Sequence, residues 1–181
     1  PLLAKAMPEV SEDKLTYTFD LKENVTFSDG KPLTGEDVIF TLKIIKNPFA
    51  DAQALRNYFL DTKKVELVDG NPYKIKFTMA KPYYKTLWTF EDIKVVPKHL
   101  LNKDGLSDNF TFEDLDAAAS APDPKKVADM QNLANFINSQ EVSRDPKYVV
   151  GSGPYKLDNW VTGQSITLAR NDNYWNKEEI P

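Results

Sequence analysis

Leu15-Thr16-Tyr17-Thr18-Phe19-Asp20-Leu21, followed by Val25-Thr26-Phe27-Ser28-Asp29-Gly30-Lys31-Pro32-Leu33-Thr34-Gly35-Glu36-Asp37-Val38, carries a strand, a turn and a helix start in direct succession. The alternation puts Leu15, Tyr17, Phe19 and Leu21 on one face, the period-2 pattern of a half-buried strand. Asp29-Gly30 is turn chemistry, because glycine accepts the positive φ that tight turns require. Thr34 then offers its hydroxyl to the orphan amide of Asp37, and Glu36 and Asp37 face the positive end of the helix dipole. Val38, Leu42 and Ile45, thickened by Ile39, form the apolar stripe of a helix. It is predicted to stop at Asn47, since Pro48 disfavours the α region for the residue before it.

Working outward, Asp51 to Leu60 predicts a second, weaker helix. Lys64–Val68 and Tyr73–Met79 predict a hairpin around Asp69-Gly70-Asn71-Pro72, with Tyr73, Ile75, Phe77 and Met79 alternating onto one face. Lys81-Pro82-Tyr83-Tyr84 opens a helical turn through Trp88, and Pro97 begins another that carries His99. From Asn102 to Pro122 the chain is polar and Ala-rich, with Thr111-Phe112-Glu113-Asp114 as a helix start. Asp123 caps a clearer helix with Pro124 at its favoured first position and Val127, Met130, Ala134 and Ile137 on its apolar face. Asn138 to Lys147 reads as a connector. Gly151–Leu157 and Ile166–Arg170 are strands, and Asn171-Asp172-Asn173-Tyr174-Trp175 follows. The element pattern is α/β, with an α+β-like mixture.

The 181 residues are 41% hydrophobic and 12% aromatic, enough for one substantial core and a smaller second one. A net charge of -4 with both signs interspersed argues against nucleic acid as a partner, because phosphate binding needs clustered basic groups. No apolar run approaches the roughly 18 to 20 residues of a bilayer span. Cysteine is absent and His99 is the single imidazole, so thiolate chemistry, Cys-based zinc sites and His-rich metal sites are excluded. No cofactor and no metal are expected. The chain starts at Pro1 without Met or a signal-peptide pattern, which favours a trimmed chain.

Individual motifs carry little catalytic chemistry. His99 in Pro97-Lys98-His99-Leu100-Leu101 lacks a nucleophile and an orienting acid beside it, so a surface or helix-start histidine outweighs a general base. Gly151-Ser152-Gly153 is neither a phosphate loop nor a Gly-x-Ser-x-Gly elbow; its glycines suit a sharp backbone approach into a strand. Asn171-Asp172-Asn173 lacks the glycine and distal glutamate of a calcium loop. Glu91 and Asp92 are adjacent carboxylates whose default is a solvated loop. Tyr58, Phe59, Tyr83, Tyr84, Trp88 and Phe90 are core by default, with one or two free to line a concave ligand site.

Taken together, the stretch from Leu15 to Val38, Lys81-Pro82-Tyr83-Tyr84, Val95-Val96-Pro97-Lys98-His99, Gly151–Leu157 and Leu168–Trp175 resemble the family 5 extracellular solute-binding proteins, the peptide- and nickel-binding receptors of ABC importers. The resemblance implies a lobe of a periplasmic-binding-protein type II fold, a mixed sheet with flanking helices, incomplete because members are more than twice this length. It implies a small lobe over 1–147, with 102–147 as helical decoration or connector, and strands over 148–181 that return toward the main lobe.

By the same resemblance the chain is a non-enzymatic fragment of a periplasmic or extracellular receptor, lipid-anchored or free. Its partners would be a small molecule or peptide and an ABC permease. Family positions near the ligand cleft correspond to Arg56, Asn57, Tyr58, Trp88, Phe90 and Glu91. The rival readings are a small hydrolase using Glu91, Asp92 or His99, and a sensory or interaction domain that reuses the lobe.

Overall fold

The computed structural model describes residues 2–91 and 93–179; Pro1, Ile180, Pro181 and the Asp92 member of the Glu91/Asp92 pair lie outside the described residues. The first half of the chain builds a sheet of β1 (Glu9–Val10), β2 (Thr16–Asp20), β3 (Thr62–Leu67) and β4 (Lys74–Met79), in spatial order β1-β2-β4-β3. Tyr17 lies opposite Phe77 and Phe19 opposite Ile75, while Val65 meets Phe77 from the other side. The expected mixed sheet needs correction, since every pairing among the described residues is antiparallel. The physical reason is insertion: β2 and β3 run in the same direction, but β4 lies between them and is antiparallel to both.

Alternation then sorts the side chains. Tyr17, Phe19, Val65, Ile75 and Phe77 share the inner face, and Thr16, Thr18, Lys64, Glu66, Lys74 and Lys76 the outer one. On that outer face Glu66 pairs with Lys64 at 2.6 Å and with Lys76 at 2.9 Å. The β3–β4 turn takes the predicted form, with Asp69 at φ 51° and Gly70 at φ 70°.

Helix α1 (Gly35–Lys46) crosses the inner face. Its N-terminus is a capping box in which the Asp37 carboxylate accepts from the Thr34 amide at 2.8 Å and the Thr34 hydroxyl at 3.1 Å. Asn47 caps its end, as Pro48 requires. The expected stripe is wider in the structure, for Asp37, Phe40, Thr41 and Lys46 are buried alongside Val38, Leu42 and Ile45. Elements on several sides explain this. Asp37 Oδ1 accepts from the Lys98 amide at 2.9 Å, Thr41 Oγ1 from Val96 at 3.0 Å, and Lys46 Nζ pairs with Asp116 at 2.7 Å.

After α1 come α2 (Gln53–Arg56), α3 (Thr86–Glu91), α4 (Lys98–Leu101), α5 (Phe112–Ala117), α6 (Pro124–Ile137) and α7 (Gln140–Arg144). Phe110, Phe112, Leu115, Met130, Leu133 and Val142 from the later elements join the same core as the sheet and α1. On α6, Leu133 rather than Val127 or Ile137 is deeply buried beside Met130 and Ala134. The connector expected over 138–147 contains α7, capped by the Ser139 hydroxyl, which accepts from Val142 at 3.2 Å.

The last strands, β5 (Tyr155–Val161) and β6 (Ser165–Arg170), form a separate two-stranded ribbon. A bulge at Asp158 brings Tyr155, Leu157 and Trp160 onto the face of Ile166 and Leu168. Only Leu157 of these five is buried.

Candidate functional site

A second, smaller core of Val25, Phe27 and Leu33 joins distant motifs, with Leu3, Val95, Val150 and Trp175 packed around it. The Ser28 amide donates to the Gly151 carbonyl at 2.8 Å. Trp175 Nε1 donates to the Ser152 carbonyl at 3.0 Å, and buried Asn171 spends its Nδ2 on the Gly153 carbonyl at 3.1 Å. The Gly-Ser-Gly-Pro and Asn-to-Trp segments are therefore two halves of one clamp. A Cβ at Gly151 would meet nothing within 4 Å, and neither Gly151 nor Gly153 has positive φ, so the clamp does not depend on glycine's conformational freedom.

Between this clamp and the inner face of the sheet lies a cavity of about 790 Å³. Phe19, Leu21 and Phe77 form its floor, Leu87 and Phe90 one wall, and Leu3 and Met7 another. Phe90 is held by three rings, Phe77 at 4.5 Å, Tyr17 at 5.4 Å and Phe19 at 5.5 Å between centroids. Glu91, Lys94 and Ser152 supply polar groups to an otherwise apolar lining. Neither the Glu91 nor the Lys94 side chain has an ion-pair or hydrogen-bond partner among the described residues.

Helix α3 sets this arrangement, turning Leu87, Phe90 and Glu91 toward the cavity and leaving Tyr84 and Trp88 outside. Tyr84 is 84% exposed and Trp88 64% exposed, with Lys85 Nζ 5.4 Å and 5.9 Å from the two ring centroids. Of the six residues expected near a ligand, then, the cavity gathers Phe90 and Glu91. Asn57 and Tyr58 are exposed elsewhere. Arg56 is committed locally: Nε donates to the Ile45 carbonyl at 3.1 Å, and Nη2 to those of Asn47 and Ala50 at 2.7 and 2.6 Å.

The expectations for Phe19 and Leu21 placed them on an apolar face without identifying a cavity. No pattern in one sequence tells which part of such a face a helix leaves uncovered. Lys94 carried no motif, and Ser152 stood only in the Gly151–Leu157 segment, read there as an approach to a strand and not as cavity lining.

His99 begins a helix, as expected, and its Nε2 lies 2.6 Å from Asp29 Oδ2. Burial pushes the Asp29 carboxyl up, but the His99 ring and the Lys31 amide outweigh it and hold it below the usual carboxylate range. No cluster of three or more potential metal-ligating His, Asp or Glu side chains occurs among the described residues. No helix of the described residues is long and apolar enough to cross a membrane.

Comparison with known proteins gives this geometry its context. The dipeptide-binding protein DppE of Bacillus subtilis is 28% identical over 179 residues, covering 94% of this chain and 28% of that protein. The oligopeptide-binding protein AppA of the same organism is 30% identical over 174 residues, covering 96% of this chain and 26% of its own length. Among solved structures, NikZ from Campylobacter jejuni in complex with Ni(L-His) superposes with a TM-score of 0.68 at 27% identity, covering 95% of this chain and 27% of NikZ. The chain thus spans about a quarter of the length of the relatives it matches, and DppE and AppA are named as binding proteins rather than enzymes. All of residues 1–181 match the model of one family, so the chain belongs to the bacterial extracellular solute-binding proteins, family 5 Middle.

Proposed function

We propose that this chain is part of a periplasmic or extracellular receptor that captures a small solute, with a peptide as the favoured cargo, and delivers it to an ABC importer. The observation that carries this reading is the family match along the whole chain. Peptide is favoured because DppE and AppA are named for dipeptides and oligopeptides. Residues 1–147 act as a lobe, with 102–147 adding helices to its core, and 148–181 lead toward the main lobe. A lipid anchor elsewhere in the protein would hold the receptor at the membrane surface.

Receptors of this kind close two walls on a ligand, so the closed state is selected by contacts to both. Phe90 and Glu91 belong to the wall contributed here, and the exposed Asn57, Tyr58 and Trp88 extend the surface available to a ligand or an opposing lobe. Arg56 supports this surface by holding the α1–α2 connection.

Calorimetry of the whole receptor and of this segment tests the reading. Peptides should bind the whole receptor, and the segment at least about a hundredfold more weakly, roughly 2.7 kcal/mol. Equal affinity in both would refute the two-wall account. Binding of Ni(L-His) with no binding of any peptide would replace peptide by a metal chelate as cargo.

A further inference from the structure

We infer that a groove between α4, the end of α6 and α7 is a second ligand site on this chain, built for a small aromatic carboxylate. It shares no lining residue with the cavity of about 790 Å³, so it goes beyond the receptor reading and stands or falls apart from it. The first support is its shape. Leu100, Phe136 and Tyr148 line a space of about 360 Å³, and all three pack half-buried against the main core, which fixes their positions. The Phe136 and Tyr148 rings meet edge to face at 85°, with centroids 5.5 Å apart. They form a corner in which a third ring can lie face-on to one and edge-on to the other. The volume is near the lower end of the roughly 300–1,000 Å³ range of small-molecule sites, which suits one ring with a short substituent rather than an extended chain.

The second support is charge. Two ammonium groups stand over this corner, Lys103 Nζ at 5.3 Å from the Phe136 centroid and Lys147 Nζ at 4.8 Å from that of Tyr148. A ring face attracts a cation through its quadrupole, which positions the ammonium and leaves N–H donors for a ligand. Lys147 also donates to the Tyr148 hydroxyl at 3.2 Å, and the Lys103 side chain has no hydrogen-bond or ion-pair partner among the described residues. Lys46, Lys98 and Lys126, by contrast, are each paired with a carboxylate. His99 borders the groove too, but its Nε2 is engaged with Asp29 at 2.6 Å. The one acid among the lining groups is Glu141, so two lysines against one glutamate leave the rim positive above an apolar floor. An aromatic carboxylate meets both features. Its ring leaves water against Phe136 and Tyr148, and its carboxylate accepts charge-assisted bonds from the two lysines.

The test is an amide-resolved NMR titration of this chain with phenylacetate, acetate and 2-phenylethanol. Phenylacetate should give saturable shifts at residues 99–103, 136, 141 and 147–148, with a Kd at least about fivefold below those of the other two. Lys103→Gln and Lys147→Gln change exposed side chains and leave the fold intact. Each should weaken phenylacetate about two- to fivefold and leave 2-phenylethanol unchanged. Glu141→Gln removes the opposing charge and should tighten phenylacetate by about the same factor.

Acetate binding as tightly as phenylacetate would reduce the groove to a pair of surface cations, and 2-phenylethanol binding as tightly would remove the lysines from recognition; either result overturns the proposal. So would the lack of any saturable shift with phenylacetate, or shifts confined to residues 19–21 and 87–95 at the other cavity. None of these results bears on peptide binding by the whole receptor, which tests the receptor reading separately.

Discussion

Gly35→Ala is the sharpest probe of how α1 is seated. Gly35 is the first residue of the helix, and its amide donates to the Pro72 carbonyl at 2.7 Å. A Cβ added there would collide with Ile75 Cγ2, approach Leu67 Cδ2 at 2.6 Å and lie 3.2 Å from the Pro72 carbonyl oxygen. Leu67 Cδ2 is the far end of a flexible chain and can swing aside. Ile75 Cγ2 is a branch methyl fixed to a strand paired on both edges, so either the helix start or β4 must move. Overpacking of this kind costs about 1–3 kcal/mol.

The sign separates this from the ordinary effect of the substitution. Where nothing clashes, replacing glycine by alanine stabilises by about 0.4–1 kcal/mol, because the unfolded chain loses freedom. For a chain of this size 1 kcal/mol moves Tm by about 2–4 °C, so a fall of about 2–12 °C is expected, measured by calorimetric or circular-dichroism melting. Ile75→Ala removes the obstructing methyl, so the double variant should lose less than the sum of the two singles. An unchanged or raised Tm for Gly35→Ala would show that α1 does not rest on the sheet at this distance.

Three further expectations follow from contacts described above. Asn47→Ala removes a bond from Nδ2 to the Met130 carbonyl at 2.8 Å and an acceptor for the Phe49 amide, at a buried position; a loss of about 1–3 kcal/mol by urea unfolding is expected. Arg56→Ala should lower stability by about 1.5–3 kcal/mol, and Arg56→Lys should restore little of it, because an ammonium cannot serve three carbonyls arranged around a planar fork; full rescue by lysine would refute the geometric argument. In acid, Asp29, Asp108 and Asp114 are all held below their usual value of 3.8, so their contributions are complete above that pH and vanish as pH falls through the lower folded values. Melting between pH 5 and pH 2 should therefore show falling Tm, with a shallower fall in Asp29→Asn; parallel curves would count against the Asp29–His99 contact.

Local chemistry was the legible part of this fold. Thr34 with Asp37, Pro48 after Asn47, Asp69-Gly70 and Asp123-Pro124 are instructions that neighbouring residues complete by themselves, and each boundary appears where they imply. Long-range consequences were less legible. Lys46 reads as a solvated last-turn cation until Asp116, 70 positions away in the chain, closes over it. Phe40 falls off the apolar stripe until the later helices cover the far side of α1. Ser139 is an N-cap only if Val142 has a core to enter. Arg56 has the composition of a ligand-binding residue, and only three backbone carbonyls brought together by folding show its local role. The cavity is of the same kind: Phe90 and Glu91 stood out by their place after a Pro-Tyr-Tyr segment, whereas Lys94 and Ser152 reach it through α3 and the Trp175 clamp.

The β5–β6 ribbon implies that the molecule has two separate thresholds for opening. Amides of β2 and β4 sit in a four-stranded sheet whose inner face is the main core, and they are expected to exchange with solvent deuterium only when that core comes apart. Among the described residues, the strands of the ribbon pair only with each other, held to α7 by the Arg144–Thr162 hydrogen bond, and Ile166 and Leu168 are more than half exposed. Two strands with only Leu157 of their apolar face covered are marginal in water. The hairpin should therefore open and close many times within the lifetime of the folded sheet, as an independent unit of low local stability. Any surface that covers Trp160, Ile166 and Leu168 would be read out first as slower exchange there, before any change in the melting of the rest.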